Sequence, residues 1–203
     1  MTNQAALPQD PMDGLQLWLK EAETAGMPEP TAMTLATVGQ DLRPSARIVL
    51  FKGFSRDERG HRCPRFFTNY ESRKSLELVS NSHVALVFHW TTMQRQIRIE
   101  GVVERVSRAE SEEYFRSRPR GSQIGAWASP QSRLIDNREE LDRLVSEIEA
   151  KFDGQVIPCP PNWGGWRVIP ERIEFWQGIP NRLHDRFVFE RKDGVWACAR
   201  LAP

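Results

Sequence analysis

The feature that most limits the fold is the pairing of short strand-like runs across short polar turns. "TAMTLATV" reaches the turn residues Gly39, Gln40 and Asp41, then returns as "RPSARIVLF". "HVALVFHW" turns near Thr91, Thr92 and Met93 and returns as "RQIRIEGVVERV". Such runs, bounded by turn residues, read as β-hairpins. Hairpins join antiparallel neighbours, whereas parallel strands need a long crossover. Strand-like runs outnumber helical ones and hairpins dominate over βαβ units. The expected fold is mainly β and antiparallel, a barrel with peripheral helices.

The helical signals are few. Asp10 and Pro11, followed by Asp13, read as an N-cap, a first-turn proline and an early acid. Leu15, Trp18, Leu19 and Ala22 recur at helical spacing, and Gly26 ends the helix. Pro28 and Pro30 close a leader over residues 1–30, ahead of a single domain over residues 31–203. "SRDERGHRCP" reads as a polar loop before "RFFTN", and Ser72 begins a short helix, "SRKSLELVS". Ser107 with Glu110 forms a capping box for a helix to about Arg116. Asp136 or Asn137 caps another, with Leu141, Leu144, Val145 and Ile148 on one side. Three short strands follow, "GGWRVI", "RIEFWQ" and "RFVFER", and "GVWACARL" closes the chain.

Composition removes several function classes. The 203 residues suit one large domain or two small ones. Lys and Arg total 28 against 27 Asp and Glu, so nothing drives the chain in bulk toward nucleic acid or an anionic membrane. Any anion site must be local. Cys63, Cys159 and Cys198 form no C-x-x-C pair, which argues against a disulfide framework or structural zinc and fits a reducing compartment. No apolar run reaches membrane-spanning length, and MTNQAALPQD lacks the basic and apolar regions of a secretory signal. A cytoplasmic protein is expected. The standard glycine-rich dinucleotide and P-loop motifs are absent, and the four histidines are too scattered to suggest a metal.

Cations gather locally instead. Arg47 interrupts the apolar run "ARIVLFK" and Lys52 ends it; an ideal strand puts them on opposite faces, so a joint site needs a bulge or bend. Arg73 and Lys74 fall in the first turn of a helix, where cations oppose the macrodipole unless an anion sits there. Gln96, Arg98 and Glu100 share a strand face, and Gln96 suits a heterocycle edge. "YFRSRPRGSQIGAWASPQS" offers Tyr114, Arg118, Arg120, Ser122, Gln123, Gln131 and Ser132 among Gly and Pro, a stretch expected to form poor regular structure. If "NRLHDRF" is extended, Arg182, His184 and Arg186 line one face. Each cluster reads either as solvated side chains or as part of a site for a phosphate and a flat ring. Trp163 and Trp166, flanking two glycines, read as core or as walls of such a site. No nucleophile is evident, which points to a bound cofactor doing the chemistry.

From about Asp10 to Pro203 the chain resembles the pyridoxine/pyridoxamine 5′-phosphate oxidases. The resemblance rests on "RIVL.K", "FFTN..SRK", "RQ", "SRPR.SQIGAW.S.QS", "WGG.RV", "IEFWQG", "RLHDRF" and "RLAP" in that order. It implies an FMN-binding split β-barrel that forms a homodimer with FMN at the subunit interface. It implies oxidation of pyridoxamine or pyridoxine 5′-phosphate to pyridoxal 5′-phosphate, with hydride transfer to flavin and reoxidation by O2 to hydrogen peroxide. Carried over by position, Arg47, Ile48, Val49, Leu50, Lys52, Phe67, Thr68, Arg73, Lys74, Gln96, Gln131, Ser132, Trp176 and Arg186 would contact FMN, several from the partner chain. Lys52, Tyr114, Arg118, Ser122, Arg182 and His184 would contact substrate, with Arg182 and His184 nearest the chemistry. There are departures: Phe67 stands where relatives often carry Tyr, the "SRDERGHRCP" loop is longer and more charged, and no Arg, Lys or Tyr precedes Lys20. A flavin oxidase of the phenazine-pathway type and a non-catalytic flavin- or haem-binding split barrel are the alternatives.

Overall fold

The computed structural model describes residues 7–203. Residues 1–6, which open the stretch where the sequence predicts no secretory signal, lie outside the described residues. Nine antiparallel strands form one sheet: β1 (Ala32–Val38), β2 (Pro44–Leu50), β3 (Phe54–Arg56), β4 (Arg62–Asn69), β5 (His83–Trp90), β6 (Arg95–Arg105), β7 (Trp163–Gln177), β8 (Asp185–Lys192) and β9 (Val195–Leu201). The order is β2-β1-β5-β6-β7-β4-β3, with β8 and β9 branching from β7. Just past β2, the Lys52 N–H donates to the Arg65 carbonyl (2.9 Å) and the Arg65 N–H to the Gly53 carbonyl (3.1 Å). These bonds bring the two ends of the sheet together and close the barrel. Five helices lie around it: α1 (Pro11–Thr24), α2 (Arg73–Ser80), α3 (Arg108–Ser117), α4 (Arg120–Ala128) and α5 (Arg138–Lys151). Among the described residues, no helix is long and apolar enough to cross a membrane.

Both hairpins expected from the sequence are present, with Ala32–Val38 on Pro44–Leu50 and His83–Trp90 on Arg95–Val102. The core lies where their inward positions meet α1: Leu35, Leu86, Ile97, Ile99 and Leu15 are fully buried. Trp18 of α1 packs edge-on against Phe175 (centroids 5.1 Å apart) and Trp90 (6.5 Å). Edge-to-face geometry suits the aromatic quadrupoles and adds to the area buried. A second apolar cluster, Phe115, Ile124, Phe152, Ile157 and Trp163, lies under α3 to α5.

Four expectations are corrected. "SRDERGHRCP" is not simply a loop: Phe54–Arg56 pairs with Arg62–Pro64, leaving a short turn between β3 and β4. "GGWRVI" and "RIEFWQ" are one fifteen-residue strand, β7, that pairs with β6 on both sides of Pro170. The stretch after Arg118 is ordered as α4: Pro119 starts it, and Arg120 donates to the Phe152 and Gln155 carbonyls at the end of α5. Tertiary packing there outweighs two glycines of low helix propensity. Finally, "NRLHDRF" is not extended throughout. Residues 180–182 form a 3-10 turn with Asn181 and Arg182 at φ +61°, and β8 begins only at Asp185. Arg182, His184 and Arg186 therefore do not share one strand face.

The register of β6 on β7 shifts between Glu100 and Gly101, opposite Pro170. Proline cannot donate to the ladder, and the shift absorbs the missing bond. The strands approach so closely that a Cβ on Gly101 would lie 2.1 Å from the Ile169 carbonyl oxygen. Gly101→Ala should therefore cost about 1–3 kcal/mol in equilibrium urea unfolding, the range for overpacking a rigid site; an unchanged midpoint would contradict this packing.

Candidate active site

Closing β2 onto β4 creates a cleft of about 400 Å³ between the end of β2, β4, α3 and α4. Its walls include Ile48, Val49, Leu50, Lys52, Phe67, Thr68, Lys74, Tyr114, Arg118, Ser122 and Gln131. All were expected site residues, drawn from five separate segments. Lys52 joins because it lies in the bend after Leu50, which supplies the turn an ideal strand lacks. Asn69, Gly125, Ser129 and Trp163 also line the cleft.

The charge of the cleft is one-sided. Lys52, Lys74 and Arg118 line it, and no Asp or Glu does. Lys74 Nζ reaches only neutral acceptors: Thr68 Oγ1 at 3.1 Å, Ser72 Oγ at 3.2 Å and Gln131 Oε1 at 3.2 Å. Burial, followed by the Arg47 charge, pushes the Lys74 ammonium below its ordinary pKa. Burial likewise lowers the Arg118 guanidinium, whose Nη1 is buried with no acceptor. Glu77 offsets this only in part for Lys74, which it does not contact, so an anion entering the cleft would gain from both cations.

An aromatic wall completes the cleft. Phe67 stacks on Tyr114 (centroids 4.0 Å, planes 18° apart) and on Trp163 (5.4 Å, 10°). Arg118 lies over the Trp163 ring, 4.8 Å from its centroid, which fixes the guanidinium by a cation–π contact. Glycine at 165 is what admits Phe67 here: a Cβ there would lie 2.8 Å from the Phe67 ring.

Arg47, Arg73 and Ser132 are outside this cleft. Arg47 Nη1 donates to Thr37 Oγ1 (2.6 Å), while its Nη2 meets Ser45 and, at 3.1 Å, Glu77 Oε2. Arg73 Nε donates to Glu77 Oε1 at 2.9 Å. Ser132, at φ +68°, lines an adjoining shallow cleft with Arg73 and Glu77. The sequence reading missed Glu77. Its only signal was the four-residue spacing from Arg73, since burial is invisible in sequence. Burial raises the Glu77 carboxyl, but hydrogen bonds from Thr37, Ser45 and Arg73 and the Arg47 charge bring it down to about 2.

The remaining expected residues form a separate group. Gln96, Trp176 and Arg186 are adjacent across β6, β7 and β8 on one sheet face. His184 lies against Trp176, ring centroids 4.6 Å apart, and its Nδ1 accepts from the Ile179 N–H at 3.2 Å. A neutral ring so held carries its proton on Nε2. Arg182 is exposed on the preceding turn. None of these five lines the cleft, so one chain does not bring the whole expected set together. A larger cleft of about 700 Å³, beside α1 and the β8–β9 turn, is lined by Arg56, Arg62 and Arg191 but also by Asp10, and Asp10 and Asp13 hold Arg62 at 2.6 Å each.

Fold and site together define a class: an antiparallel split barrel whose acid-free cleft is suited to a phosphorylated ligand. Residues 19–152 match the family described as "Pyridoxamine 5′-phosphate oxidase", and residues 163–203 match "Pyridoxine 5′-phosphate oxidase C-terminal dimerisation region". The chain is 51% identical to the pyridoxine/pyridoxamine 5′-phosphate oxidase of Pseudomonas paraeruginosa, over 99% of this chain and 92% of that one. It is 54% identical to the enzyme of the same name from Rubrobacter xylanophilus, over 96% and 87%. PhzG from Burkholderia lata, solved with tetrahydrophenazine-1-carboxylic acid, superposes with TM-score 0.88 at 32% identity, covering 97% of this chain and 94% of that one. The chain belongs to the pyridoxamine 5′-phosphate oxidase family.

The Glu77 cluster carries a pH signature. A carboxyl near 2 in the folded state and near its ordinary 4.5 when unfolded adds stability that is complete above about pH 5. That stability is lost as pH falls from about 5 toward 2. Urea unfolding of Glu77→Gln should show a shallower loss over that window than the wild type; parallel pH curves would refute the assignment.

Proposed function

We propose that the protein oxidises pyridoxamine 5′-phosphate or pyridoxine 5′-phosphate to pyridoxal 5′-phosphate with FMN as its cofactor. The observation that carries this reading is the cleft holding Lys52, Lys74 and Arg118 with no carboxylate, walled by flat rings. These donors fit FMN and its substrate: ammonium and guanidinium groups for phosphates, Gln96 and Gln131 for a heterocycle edge, and apolar β2 backbone against a ring. The fourteen residues assigned above to FMN and the six assigned to substrate are the set we infer. When bound, FMN supplies an acceptor for the hydride leaving the substrate carbon, and O2 reoxidises it to give hydrogen peroxide.

Lys52, Tyr114, Arg118 and Ser122 hold the substrate phosphate. Arg118 is pre-aimed by Trp163, so little side-chain freedom is lost on binding. Gln96, Trp176, Arg182, His184 and Arg186 reach the cleft of the partner protomer. This accounts for their separation within one chain, and all but Gln96 lie in the matched dimerisation region. Arg182 steadies the reacting substituent, and His184 presents its Nε2 to orient the ring or move a proton. Near-attack alignment in a site poor in water is the protein's main contribution. The site is complete only in a homodimer, and the setting is cytoplasmic.

PhzG supports a second reading, oxidation of a phenazine precursor, because its backbone follows this one so closely. The unpaired cleft cations favour the phosphorylated vitamer over a substrate lacking phosphate.

Anaerobic addition of pyridoxamine 5′-phosphate to the purified yellow protein should bleach the flavin band; a stable spectrum would sink the proposal. Arg118→Met should raise KM about tenfold or more while flavin stays bound, as expected for loss of a charge-assisted hydrogen bond. Arg182→Leu should lower kcat and retain flavin; an unchanged kcat would remove Arg182 from the mechanism.

A further inference from the structure

Glu174 is only 2% exposed, yet it sits on the sheet face that carries Gln96, Trp176 and Arg186. Arg98 lies directly opposite it on β6. Three guanidiniums converge on its carboxylate. Arg186 Nε donates to Oε1 at 2.8 Å and Arg186 Nη2 to Oε2 at 3.2 Å; Arg98 Nη2 also donates to Oε2. Arg172 Nη2 stands 3.9 Å away but has its own acids, Glu100 at 3.1 Å and Glu190 at 3.6 Å.

The carboxylate survives burial because of these partners. Desolvation alone would raise its pKa, but the hydrogen bond from Arg186 and the charges of Arg98 and Arg186 outweigh it, leaving the group below its ordinary range. A buried ionic cluster is seldom kept for stability alone, since apolar side chains of similar size often do as well. What this cluster does is fix a direction. A guanidinium has five N–H bonds in a rigid plane. Glu174 takes two of those of Arg186, and the Ala202 carbonyl takes a third, from Nη1 at 2.9 Å. One N–H on each Nη remains for a ligand.

We propose that Glu174 is the positioning residue of the flavin half-site, locking Arg186 so that its two remaining N–H bonds meet FMN. The inference rests on the reading that Arg186 faces FMN. Glu174 itself touches neither flavin nor substrate; it acts through Arg186.

A double-mutant cycle on FMN binding tests it. Wild type, Glu174→Gln, Arg186→Gln and the double variant are stripped of flavin and titrated with FMN, following the quenching of flavin fluorescence. Arg186→Gln and Glu174→Gln should each raise Kd about tenfold or more, as expected for a charge-assisted contact. The double variant should match Arg186→Gln within about twofold, because with Arg186 gone there is nothing left to position. A merely structural role would make the double variant weaker than Arg186→Gln, and that result overturns the proposal. Weak binding by Arg186→Gln with wild-type binding by Glu174→Gln also overturns it. Wild-type binding by Arg186→Gln removes the reading beneath it. Should Glu174→Gln fail to fold, Glu174→Asp keeps the charge but withdraws the carboxylate by one methylene. It should still bind FMN more weakly, and a wild-type Kd would refute the lock.

Discussion

Strand β7 is the constraint on which both halves of the site depend. It pairs with β6 from Trp166 to Gln177 and exchanges its second partner at Pro170, from β4 over Trp163–Arg167 to β8 over Arg172–Gln177. Its first half carries Trp163, which backs the cleft, and Gly165, which admits Phe67. Its second half carries Glu174 and Trp176. A strand paired on both edges is rigid, so groups hung along it keep their spacing. The price of the partner exchange is the Glu100–Gly101 register shift, and only glycine fits the resulting close approach.

Two kinds of cation occupy this frame. Lys74 and Arg118 are half-buried and make no ion pair, and burial holds both below their ordinary pKa. Arg47, Arg73 and Arg186 are tethered to deeply buried glutamates, Glu77 and Glu174. The first kind stores unmet affinity for an anion. The second gives up part of its charge for a fixed orientation. The proposed site, which would hold phosphates and also align a ring, needs both, because strong but loose electrostatics would bind without aligning.

Much of the architecture was legible in the chain. The two hairpins, the helix caps and the antiparallel bias follow from local patterns, and the structure bears them out except that the capping box is half-formed: Ser107 Oγ accepts from the Glu110 N–H, but the Glu110 carboxylate is drawn to Ser55 and Arg65. Three of the misses share a cause: each was decided by a partner outside the segment itself. β3 exists because β4 pairs with it, α4 because its Arg120 docks on the end of α5, and β7 continues through Pro170 because β6 shifts register to meet it. The 3-10 turn before β8 depends on two residues at positive φ; Asn181 after Pro180 is a turn signal, but nothing in the sequence marks Arg182.

For the site, sequence alone determined the inventory: which segments carry clustered cations, amide edges and flat rings, and that the net charge leaves none of this to bulk electrostatics. It also carried the family resemblance, since ordered motifs survive in one dimension. Tertiary structure decided the partition. It gathered Lys52, Lys74, Tyr114, Arg118, Ser122 and Gln131 into one cleft and set Gln96, Trp176, His184 and Arg186 on a different face. It alone showed that Glu77 and Glu174 are buried under arginines. Pairwise electrostatics depend on distance and on exclusion of water, and neither is encoded at any one position of the chain.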